Sequence, residues 1–424
     1  MEGKDNAMLF NRSRAIQFMR QYDLDVLIAT SPYNVTYFTD YFFWLDGIYK
    51  EFMSVPGSSS HLSHPSYAVF PMEGEPAHIV ETGCAANTAD GWVRDLHVYG
   101  VPTLDFSLPA ASATPLDDRF MSLLRDGPHH ATAAKALLSV LQGRGLTNAR
   151  IGLEMEGLLL EVKDALIGGL PRASIKDCSY LIRLIRSVKS PEEIKRLTRA
   201  AEINEQMAME SLALARPGKP VADLVQHYRA RAAELGADFD HFIFSLRGLG
   251  ISADTQYQLR EDDVMLVDFG STYGHYFSDS GTTLALGEVP PVLLDKYQTM
   301  RLALEKGGQT MRPGTKASAI QAVMQDALKE KGIIASYPHG HGLGLEIRDL
   351  PIIVPNNHLR ISDSCVDVPS DLPMEEGMIN NLEIPLYLPG VGSLHVEKSF
   401  LITAEGSREL IPQNRSTPRG PATG

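Results

Sequence analysis

The chain repeats itself once: RPGKPVADLVQHYRARAAELG at residues 216–236 matches RPGTKASAIQAVMQDALKEKG at residues 312–332. In both copies an Arg-Pro-Gly turn opens a helix of about four turns that ends at a glycine, and a β-rich segment follows. Two unrelated helices with similar turns could also give this match. If the copies are related, this part of the chain folds as two similar α+β halves, with one cluster of polar residues between them.

The repeat is preceded by a strong helix start at Ser190-Pro191-Glu192-Glu193. Ser190 suits the N-cap, Pro191 suits the first helical position, and Glu193 can close a capping box. Ile194, Leu197, Ala200 and Ala201 supply an apolar stripe behind this start. We therefore expect a new domain to begin here.

Upstream of Ser190, helix and strand alternate, which indicates an α/β domain. The pattern predicts a helix at residues 12–23, a strand at Val26–Ala29, a turn at Ser31-Pro32, and a hairpin of residues 67–70 with 77–80. It breaks at Gly168-Gly169-Leu170-Pro171. The predicted domains are an α/β domain at 1–170, a linker at 171–189, an α+β domain with a pseudo-twofold repeat at 190–410, and a disordered tail at 411–424.

The composition, with 44% hydrophobic and 21% charged residues in 424, is that of a globular protein. A net charge of -13 argues against binding to nucleic acid or to an anionic membrane. Cys84, Cys178 and Cys365 are far apart, so neither a disulfide framework nor a thiolate zinc site is indicated. The polar start of the chain does not suit a signal peptide, and no apolar run suits a membrane span. We expect a cytoplasmic protein.

Four carboxylates and one histidine are candidate metal ligands. Asp268 and Asp279 are predicted on neighbouring strands and could share a cation, although aspartates at strand ends also cap turns. His341 is flanked by glycines in PHGHGLGL, which allow close approach of a ligand, although a loop histidine need not have one. Glu383 and Glu397 lie in apolar stretches and need a partner, either a cation or an Arg or Lys salt bridge.

Taken together, these residues follow a known order: Asp, ten residues, Asp, then GHGxG, LExP and HVE. This order resembles the pita-bread metallohydrolase family of prolidase, aminopeptidase P, methionine aminopeptidase and creatinase. The resemblance covers nearly the whole chain. Its supporting matches are VDFG at 267–270, Ser278-Asp279 with Thr283, GHGLGLEIRDLP at 340–351, EEGMINNLEIP at 375–385, VEKSFLIT at 396–403, IRLIRSVKSPEEI at 182–194 and SPYNVTYFT at 31–39.

The resemblance implies a creatinase-type N-terminal domain, a pita-bread catalytic domain and a dimer. It makes Asp268 a ligand of one metal ion, His341 and Glu383 ligands of the other, and Asp279 and Glu397 bridging ligands. It also makes Glu383 the residue that takes a proton from the attacking water. Four carboxylates with one imidazole favour Mn²⁺, Fe²⁺, Co²⁺ or Zn²⁺ over soft metals, without choosing among them.

The sequence departs from the proline-cleaving members of the family at their accessory histidines. Tyr337 stands four residues before His341, Arg348-Asp349 stand where HE is usual, and Thr282 replaces an arginine. No histidine stands about seventeen residues before Asp268. The loss of such donors weakens stabilisation of a peptide's tetrahedral intermediate.

Other residues could take over these roles. Tyr337 or His339 could exchange a proton, and Arg348 could bind an anionic group bidentately, although Arg348 could also pair with Asp349 or Glu346 at the surface. In the aromatic segment at residues 37–44, Tyr41 and Trp44 could contact the substrate in the partner's active site. An aromatic run is more often core.

The sequence therefore predicts a dinuclear metal-dependent hydrolase that cleaves an amide or amidine C–N bond in a small anionic substrate. One alternative is an Xaa-Pro dipeptidase or aminopeptidase that acts on short peptides and has replaced its accessory groups. The others are a metal-dependent lyase and a non-catalytic pita-bread interaction module. We expect two divalent metal ions, a homodimer, and neither nucleic acid nor a membrane as partner.

Overall fold

A computed structural model describes residues 8–42, 64–89, 91–101, 104–105, 114–252 and 256–412. The chain divides into an N-terminal unit, Met1–Ile185 with Ile361–Asp367, and a C-terminal unit, Arg186–Arg360 with Val368–Gly424. Trp44 and residues 413–424 of the predicted tail lie outside the described residues. Among the helices described, none combines the length and apolar character needed to cross a membrane.

The N-terminal unit is built on a seven-stranded mixed sheet in the order β5-β4-β3-β2-β1-β6-β7. Its strands are β1 Val26–Ala29, β2 Tyr67–Pro71, β3 Ala77–Glu81, β4 Asp95–Tyr99, β5 His129–His130, β6 Arg150–Leu153 and β7 Ser174–Asp177. Its helices are α1 Arg12–Gln21, α2 Pro32–Thr39, α3 Pro115–Met121, α4 Ala133–Gly143, α5 Leu160–Gly169 and α6 Ser179–Ser187, with a 3-10 turn at Thr82–Thr88 and a π turn at Ser122–Asp126.

The helix, strand and hairpin predicted near the start of this unit are confirmed. In the hairpin, β2 and β3 pair antiparallel with Tyr67 opposite Ile79. The turn predicted at Ser31-Pro32 is wrong: Ser31 caps α2 by accepting a hydrogen bond from the backbone N–H of Asn34, and Pro32 fills the first helical position. The break at Gly168–Pro171 is the end of α5, and the sheet continues with β7. Residues 171–189, predicted as a linker, thus contain β7 and α6.

The C-terminal unit contains two antiparallel sheets, in the orders β11-β10-β8-β9 and β13-β12-β16-β17-β18. Its helices are α7 Pro191–Leu212, α8 Val221–Glu234, α9 Pro291–Thr310 and α10 Ala317–Glu330. The remaining strands of the chain are β8 Asp238–Ser245, β9 Ile251–Ser252, β10 Val264–Tyr273, β11 Tyr276–Ala285, β12 His339–Gly342, β13 Asp349–Ile353, β14 Arg360–Ser362, β15 Asp367–Pro369, β16 Ile379–Leu388, β17 Gly392–Thr403 and β18 Gly406–Glu409. Strands β14 and β15 form a separate two-stranded sheet.

The repeat in the sequence is a repeat in the structure, because α8 and α10 have equal length and the predicted offset. The glycines of the two opening turns, Gly218 and Gly314, have φ of 81° and 88°. Those that follow the two helices, Gly236 and Gly332, have φ of 72° and 73°. These left-handed positions favour glycine, so the two copies share their turn geometry as well as their amino-acid sequence pattern.

Each pair of helices covers one sheet with an apolar core. Helices α7 and α8 contribute Ile203 and Tyr228 to a cluster with Phe242 and Phe269 of the first sheet. Helices α9 and α10 contribute residues to a second cluster with β16 and β17. Helix α7 begins as predicted: Ser190 and Glu193 exchange the two bonds of a capping box. The predicted α/β and α+β classes are thus confirmed.

A buried ion network lies beside the start of α7. Arg186 is 1% exposed and pairs with Asp349 at 3.3 Å and with Glu346 at 3.0 Å. Lys189 is also buried and lies 3.0 Å from the same carboxylate of Asp349. Burial raises the pKa of Asp349, but the charges of Arg186 and Lys189 outweigh this and lower it to about 2. The network anchors the segment that follows the GHGLG sequence.

Candidate metal centre

The register of the second sheet brings several polar side chains onto one face. On β16, Glu383 lies opposite His339 of β12 and opposite Glu397 of β17. Two residues earlier on the same strand, Asn381 lies opposite His341. Because side chains two residues apart on a strand point to the same face, all five share it.

The first sheet presents a matching set. Gly270 of β10 lies opposite His241 of β8 on one side and opposite Asp279 of β11 on the other. Asp268, two residues earlier, lies opposite Gly281. Asp268, Asp279 and His241 therefore point to one face of this sheet.

The two sets meet. His241 Nε2 lies 3.0 Å from Asp268 Oδ1 and 3.5 Å from Asp279 Oδ1. From the other sheet, His341 Nε2 lies 3.4 Å from Asp279 Oδ2 and 3.9 Å from Glu383 Oε1. Asp279 is thus flanked by an imidazole from each half of the repeat, which is the polar cluster between halves that the repeat predicted.

The second half closes the cluster around its two glutamates. His339 Nε2 lies 2.7 Å from Glu383 Oε1. His395 Nε2 lies 3.8 Å from Glu383 Oε2 and 3.7 Å from Glu397 Oε2. The side-chain amide of Asn381 donates to Glu397 Oε1 at 2.7 Å. All five residues expected to bind metal lie in this one cluster.

All four imidazoles have the same orientation. In each ring Nδ1 lies near an oxygen that can accept its proton, and Nε2 faces the carboxylates, where it can donate a hydrogen bond or offer a lone pair to a bound ion. The Nδ1 partners are Asp240 Oδ2 at 2.7 Å for His241, the Tyr337 carbonyl at 3.0 Å for His339, the Gly342 carbonyl at 3.1 Å for His341 and the Val267 carbonyl at 3.4 Å for His395.

The cluster also has the unsatisfied atoms that a cation would satisfy. His341 Nε2, His395 Nε2 and Glu397 Oε2 are buried without a hydrogen-bond partner in the part of the chain that the structure describes. Buried polar atoms are normally paired, and two of these three, His395 Nε2 and Glu397 Oε2, lie only 3.7 Å apart. The residues present therefore fit divalent metal ions by charge, by donor type and by orientation.

The carboxylates respond unequally to this crowding. Burial and the charges of Asp279, Asp268 and Glu383 raise the pKa of Glu397 well above its ordinary value. Burial also raises the pKa of Asp268, against the hydrogen bond from His241. For Glu383, burial is outweighed by the hydrogen bond from His339 and by the nearby imidazole of His395, which lower its pKa.

Two imidazoles near these carboxylates also titrate unusually. Burial lowers the pKa of His241, but its bonds to Asp240, Asp268 and Asp279 outweigh burial and raise that pKa to about 12. Burial likewise opposes protonation of His339, while the hydrogen bond with Glu383 raises its pKa. In both rings the neighbouring carboxylates decide the sign of the shift.

The residues expected to help catalysis lie at the margin of the cluster. The half-exposed Tyr337 ring lies 5.6 Å from that of His339, measured between ring centroids. Arg348 is exposed and acts electrostatically on His339. It makes no ion pair among the residues described, because Glu346 and Asp349 pair with Arg186 instead. The surface pair considered for Arg348 is therefore not formed.

The two aromatic residues expected to contact substrate belong to the N-terminal unit. Tyr41 is 2% exposed and packs edge-on against His78, with 4.8 Å between ring centroids. Trp44 lies outside the described residues. A substrate contact by either residue stays a prediction.

His241, His395 and Asn381 are part of the cluster and were not predicted from the sequence. The family resemblance implies a histidine about seventeen residues before Asp268, whereas His241 stands farther back on β8. His395 and Asn381 each lie two residues before a predicted glutamate ligand. The period-two rule for strands could have found both, since it places them on the ligand face.

Comparison with known proteins gives a family and a fold. Residues 195–404 match the model of metallopeptidase family M24. An uncharacterised peptidase of Staphylococcus aureus is 27% identical over 267 residues, which are 61% of this chain and 72% of that protein. An Xaa-Pro dipeptidase of Pyrococcus horikoshii is 27% identical over 256 residues, 58% of this chain and 69% of its own.

Solved structures extend the likeness to nearly the whole chain. The prolidase from Pyrococcus horikoshii OT3 superposes with a TM-score of 0.67 at 19% identity, covering 95% of this chain and 98% of that one. The X-Pro aminopeptidase from Thermotoga maritima superposes with a TM-score of 0.71 at 17% identity, and the match covers 94% of this chain and 98% of that one. The fold is therefore the pita-bread fold with its N-terminal domain.

Proposed function

Because the chain belongs to metallopeptidase family M24, we propose that it is a dinuclear metal-dependent hydrolase of a C–N bond in a small anionic substrate. Asp268, Asp279, His341, Glu383 and Glu397 would hold the two ions. One observation carries the proposal: imidazoles from both halves direct Nε2 at four carboxylates, and three buried donor atoms there have no partner among the residues described. A purely structural cluster of this charge would need arginine or lysine partners.

Two divalent ions, when bound, supply an activated water and a Lewis acid for the bond under attack. The residues of this chain would then move protons. Glu383 is placed to take the proton of the attacking water, and its Oε1 lies 2.7 Å from Nε2 of His339. Since His339 is partly exposed beside Tyr337, it can pass a proton between Glu383 and the leaving nitrogen.

The preference for an anionic substrate rests on Arg348. Its guanidinium is exposed, has no ion pair among the described residues and lies close enough to His339 to affect its titration. A guanidinium binds a carboxylate with two parallel hydrogen bonds. Arg348 would therefore hold a substrate carboxylate at the margin of the metal centre.

The second candidate is an Xaa-Pro dipeptidase, which is what the relative from Pyrococcus horikoshii is. The missing accessory histidines argued against it, but His241 and His339 bring two imidazoles into the cluster from other positions. A dipeptide also carries a carboxylate beside its amide bond, so the two candidates share that feature of the substrate and differ in what stands on the other side of the bond.

The test is turnover by protein stripped with chelator and reloaded with Mn²⁺, Co²⁺, Zn²⁺ or Fe²⁺. The panel holds Xaa-Pro dipeptides, other dipeptides, N-acyl amino acids and the carboxamide form of each. We expect metal-dependent hydrolysis of carboxylate-bearing amides, reduced at least about 100-fold by Glu383→Gln. Absence of both bound metal and activity would refute the proposal. Products without oxygen from labelled solvent would indicate the lyase alternative.

The remaining predictions concern the setting of the enzyme. The homodimer follows from the family resemblance. The cytoplasmic location agrees with the three free cysteines, Cys84, Cys178 and Cys365. Light scattering of the metal-loaded protein over a range of concentrations tests the dimer. A constant monomer mass would contradict it.

A further inference from the structure

His241 is an imidazole of the cluster outside the five expected ligands. We infer that it is a sixth protein ligand, binding the ion held by Asp268 and Asp279, and that Asp240 orients it. This inference rests on the proposed dinuclear centre and concerns the chain's own donors to it. If it is right, each ion has one imidazole, His241 on the first and His341 on the second.

The distances around His241 suit one ion. Donor atoms of His241, Asp268 and Asp279 all lie within 4.8 Å of one another. The Nε2 atom lies 3.0 Å and 3.5 Å from the two carboxylate oxygens. Two donors at about 2.1 Å from the same ion lie about 3.0 Å apart in octahedral and about 3.4 Å apart in tetrahedral geometry. Little movement would therefore be needed to bind an ion among the three.

Asp240 fixes the orientation of the His241 ring from the Nδ1 side, opposite the metal-binding aspartates. Asp240 Oδ2 lies 2.7 Å from Nδ1. A carboxylate there keeps the proton on Nδ1 and turns the Nε2 lone pair toward Asp268 and Asp279, as in the carboxylate–histidine–metal arrangement. Asp240 itself faces outward and does not touch the two metal-binding aspartates in the described structure.

The neighbouring strand leaves room for the ring. A Cβ on Gly270 would lie 2.3 Å from Cε1 and 2.6 Å from Nδ1 of His241. A side chain at residue 270 would overlap the imidazole, so the observed position of the ring requires glycine there. The strand opposite His241 is therefore shaped to receive the ring.

The alternative is that His241 is a counter-ion, an imidazolium that neutralises the carboxylates and binds no metal. The two roles make opposite predictions for metal binding. A ligand contributes affinity and alters the electronic spectrum of the ion, whereas a counter-ion competes with the metal. An imidazole on each ion would also favour Zn²⁺, Fe²⁺ and Co²⁺ over Mn²⁺ and Mg²⁺.

The experiment titrates Co²⁺ and Zn²⁺ into full-length, metal-free protein against a competing chelator, with visible absorption recorded for Co²⁺. We expect two ions in the wild type. In His241→Asn one of them should weaken by at least about 10-fold, with a changed Co²⁺ spectrum, and in Asp240→Asn the same ion should weaken less. The matched control is His358→Asn, at an exposed position with φ of 57°, which should bind both ions as the wild type does.

Unchanged or tighter binding of both ions in His241→Asn, with an unchanged Co²⁺ spectrum, would overturn the inference and assign the counter-ion role. Near-UV circular dichroism reports whether the variant folds. If it does not fold, Asp240→Asn decides, and an unchanged spectrum with unchanged affinity there also overturns the inference. A wild type that binds no ion contradicts the proposed function itself, so the two failures are distinguishable.

Discussion

Gly281 occupies a position in the metal centre that has no room for a side chain. It lies opposite Asp268 on β11, and a Cβ there would lie 2.3 Å from Nδ1 of His395 and 2.5 Å from Oε2 of Glu397. Both neighbours are buried and cannot move aside without leaving the carboxylate cluster. The absence of a side chain at residue 281 is thus a condition for the positions of two candidate donors.

Replacing this glycine should disturb metal binding more than folding. We expect Gly281→Ala to destabilise the protein by about 1–3 kcal/mol and to weaken the binding of at least one ion. Chelator competition and thermal unfolding measure the two effects. The control is Gly406→Ala, also on a strand of the C-terminal unit, where an added Cβ meets nothing within 4 Å. Equal metal affinity in both variants would contradict this account.

Arg348 gives a prediction about substrate binding. Arg348→Met should raise KM for a carboxylate-bearing substrate about 10- to 100-fold and change kcat little, because a charge-assisted bond is lost in ground and transition states alike. The KM of Arg348→Lys should lie between those of the wild type and of Arg348→Met. Steady-state kinetics with each substrate and its carboxamide form provide the control, since the carboxamide should not distinguish the variants. A loss of kcat alone would instead place Arg348 in the proton transfers.

At the scale of elements, the features that the sequence predicts correctly have local signals. The two copies of the repeated helix, the capping box at Ser190 and the hairpin after residue 67 depend on neighbours a few residues away. The cap at Ser31 also has a local signal, Ser-Pro, which is typical of a helix start as well as of a turn, and here the interpretation as a turn is wrong.

Reasoning from sequence failed where the answer depends on which strands pair. His241 reaches the metal centre only because β8 pairs with β10 in a register that sets residue 241 opposite residue 270. That register is fixed by packing between elements and not by any short pattern. The family pattern located five residues by their order, but it could not supply a donor that the pattern does not contain.

The start of α7 carries a titratable group with a measurable effect on stability. Glu193 is buried, and burial raises its pKa from 4.5 to about 7 despite Lys189 and the bonds from Ser190 and Tyr276. The folded protein therefore keeps this proton up to about pH 7, whereas the unfolded chain releases it near pH 4.5. Its contribution is present in full below pH 4.5 and is lost as the pH rises to 7.

Glu193→Gln should remove that pH dependence. Between pH 4.5 and 7 the free energy of unfolding of the wild type should fall by roughly 3 kcal/mol relative to that of the variant. Urea unfolding at several pH values in one metal-free buffer gives the difference. The control is Glu405→Gln, at an exposed position, whose free energy of unfolding should change with pH as that of the wild type does. Parallel curves for Glu193→Gln would show that the carboxyl titrates normally.

At the scale of the whole molecule, the charges of the cluster make the free energy of unfolding depend on whether metal ions are bound. Four carboxylates share a buried space, and the pKa of Glu397 is raised by burial and by the other three. An ion at 100 times its Kd should add about 2.7 kcal/mol to the free energy of unfolding. Removing the ion should leave Glu397 of the wild type buried among other acidic side chains, which costs free energy whether Glu397 ionises or takes up a proton.

Glu397→Gln should separate these two effects. In chelator the variant should be more stable than the wild type, on the order of 1 kcal/mol, because a crowded carboxylate becomes neutral and Asn381 can still donate to it. In saturating metal the order should reverse. Thermal unfolding under both conditions measures this, and Glu375→Gln, outside the cluster, should show no reversal. A variant less stable than the wild type under both conditions would contradict the prediction.

The repeat has a mechanical consequence. Its first copy brings Asp279 to the cluster and its second copy brings His341, so an ion bound to both residues would act as a cross-link. It would close a loop of about 60 residues, for which a covalent bridge would be worth roughly 4 kcal/mol of chain entropy in the unfolded state. Unlike a disulfide, this cross-link needs no oxidising compartment and can be withdrawn by any competitor for the ion. The pairing of the two halves would then depend directly on the supply of metal.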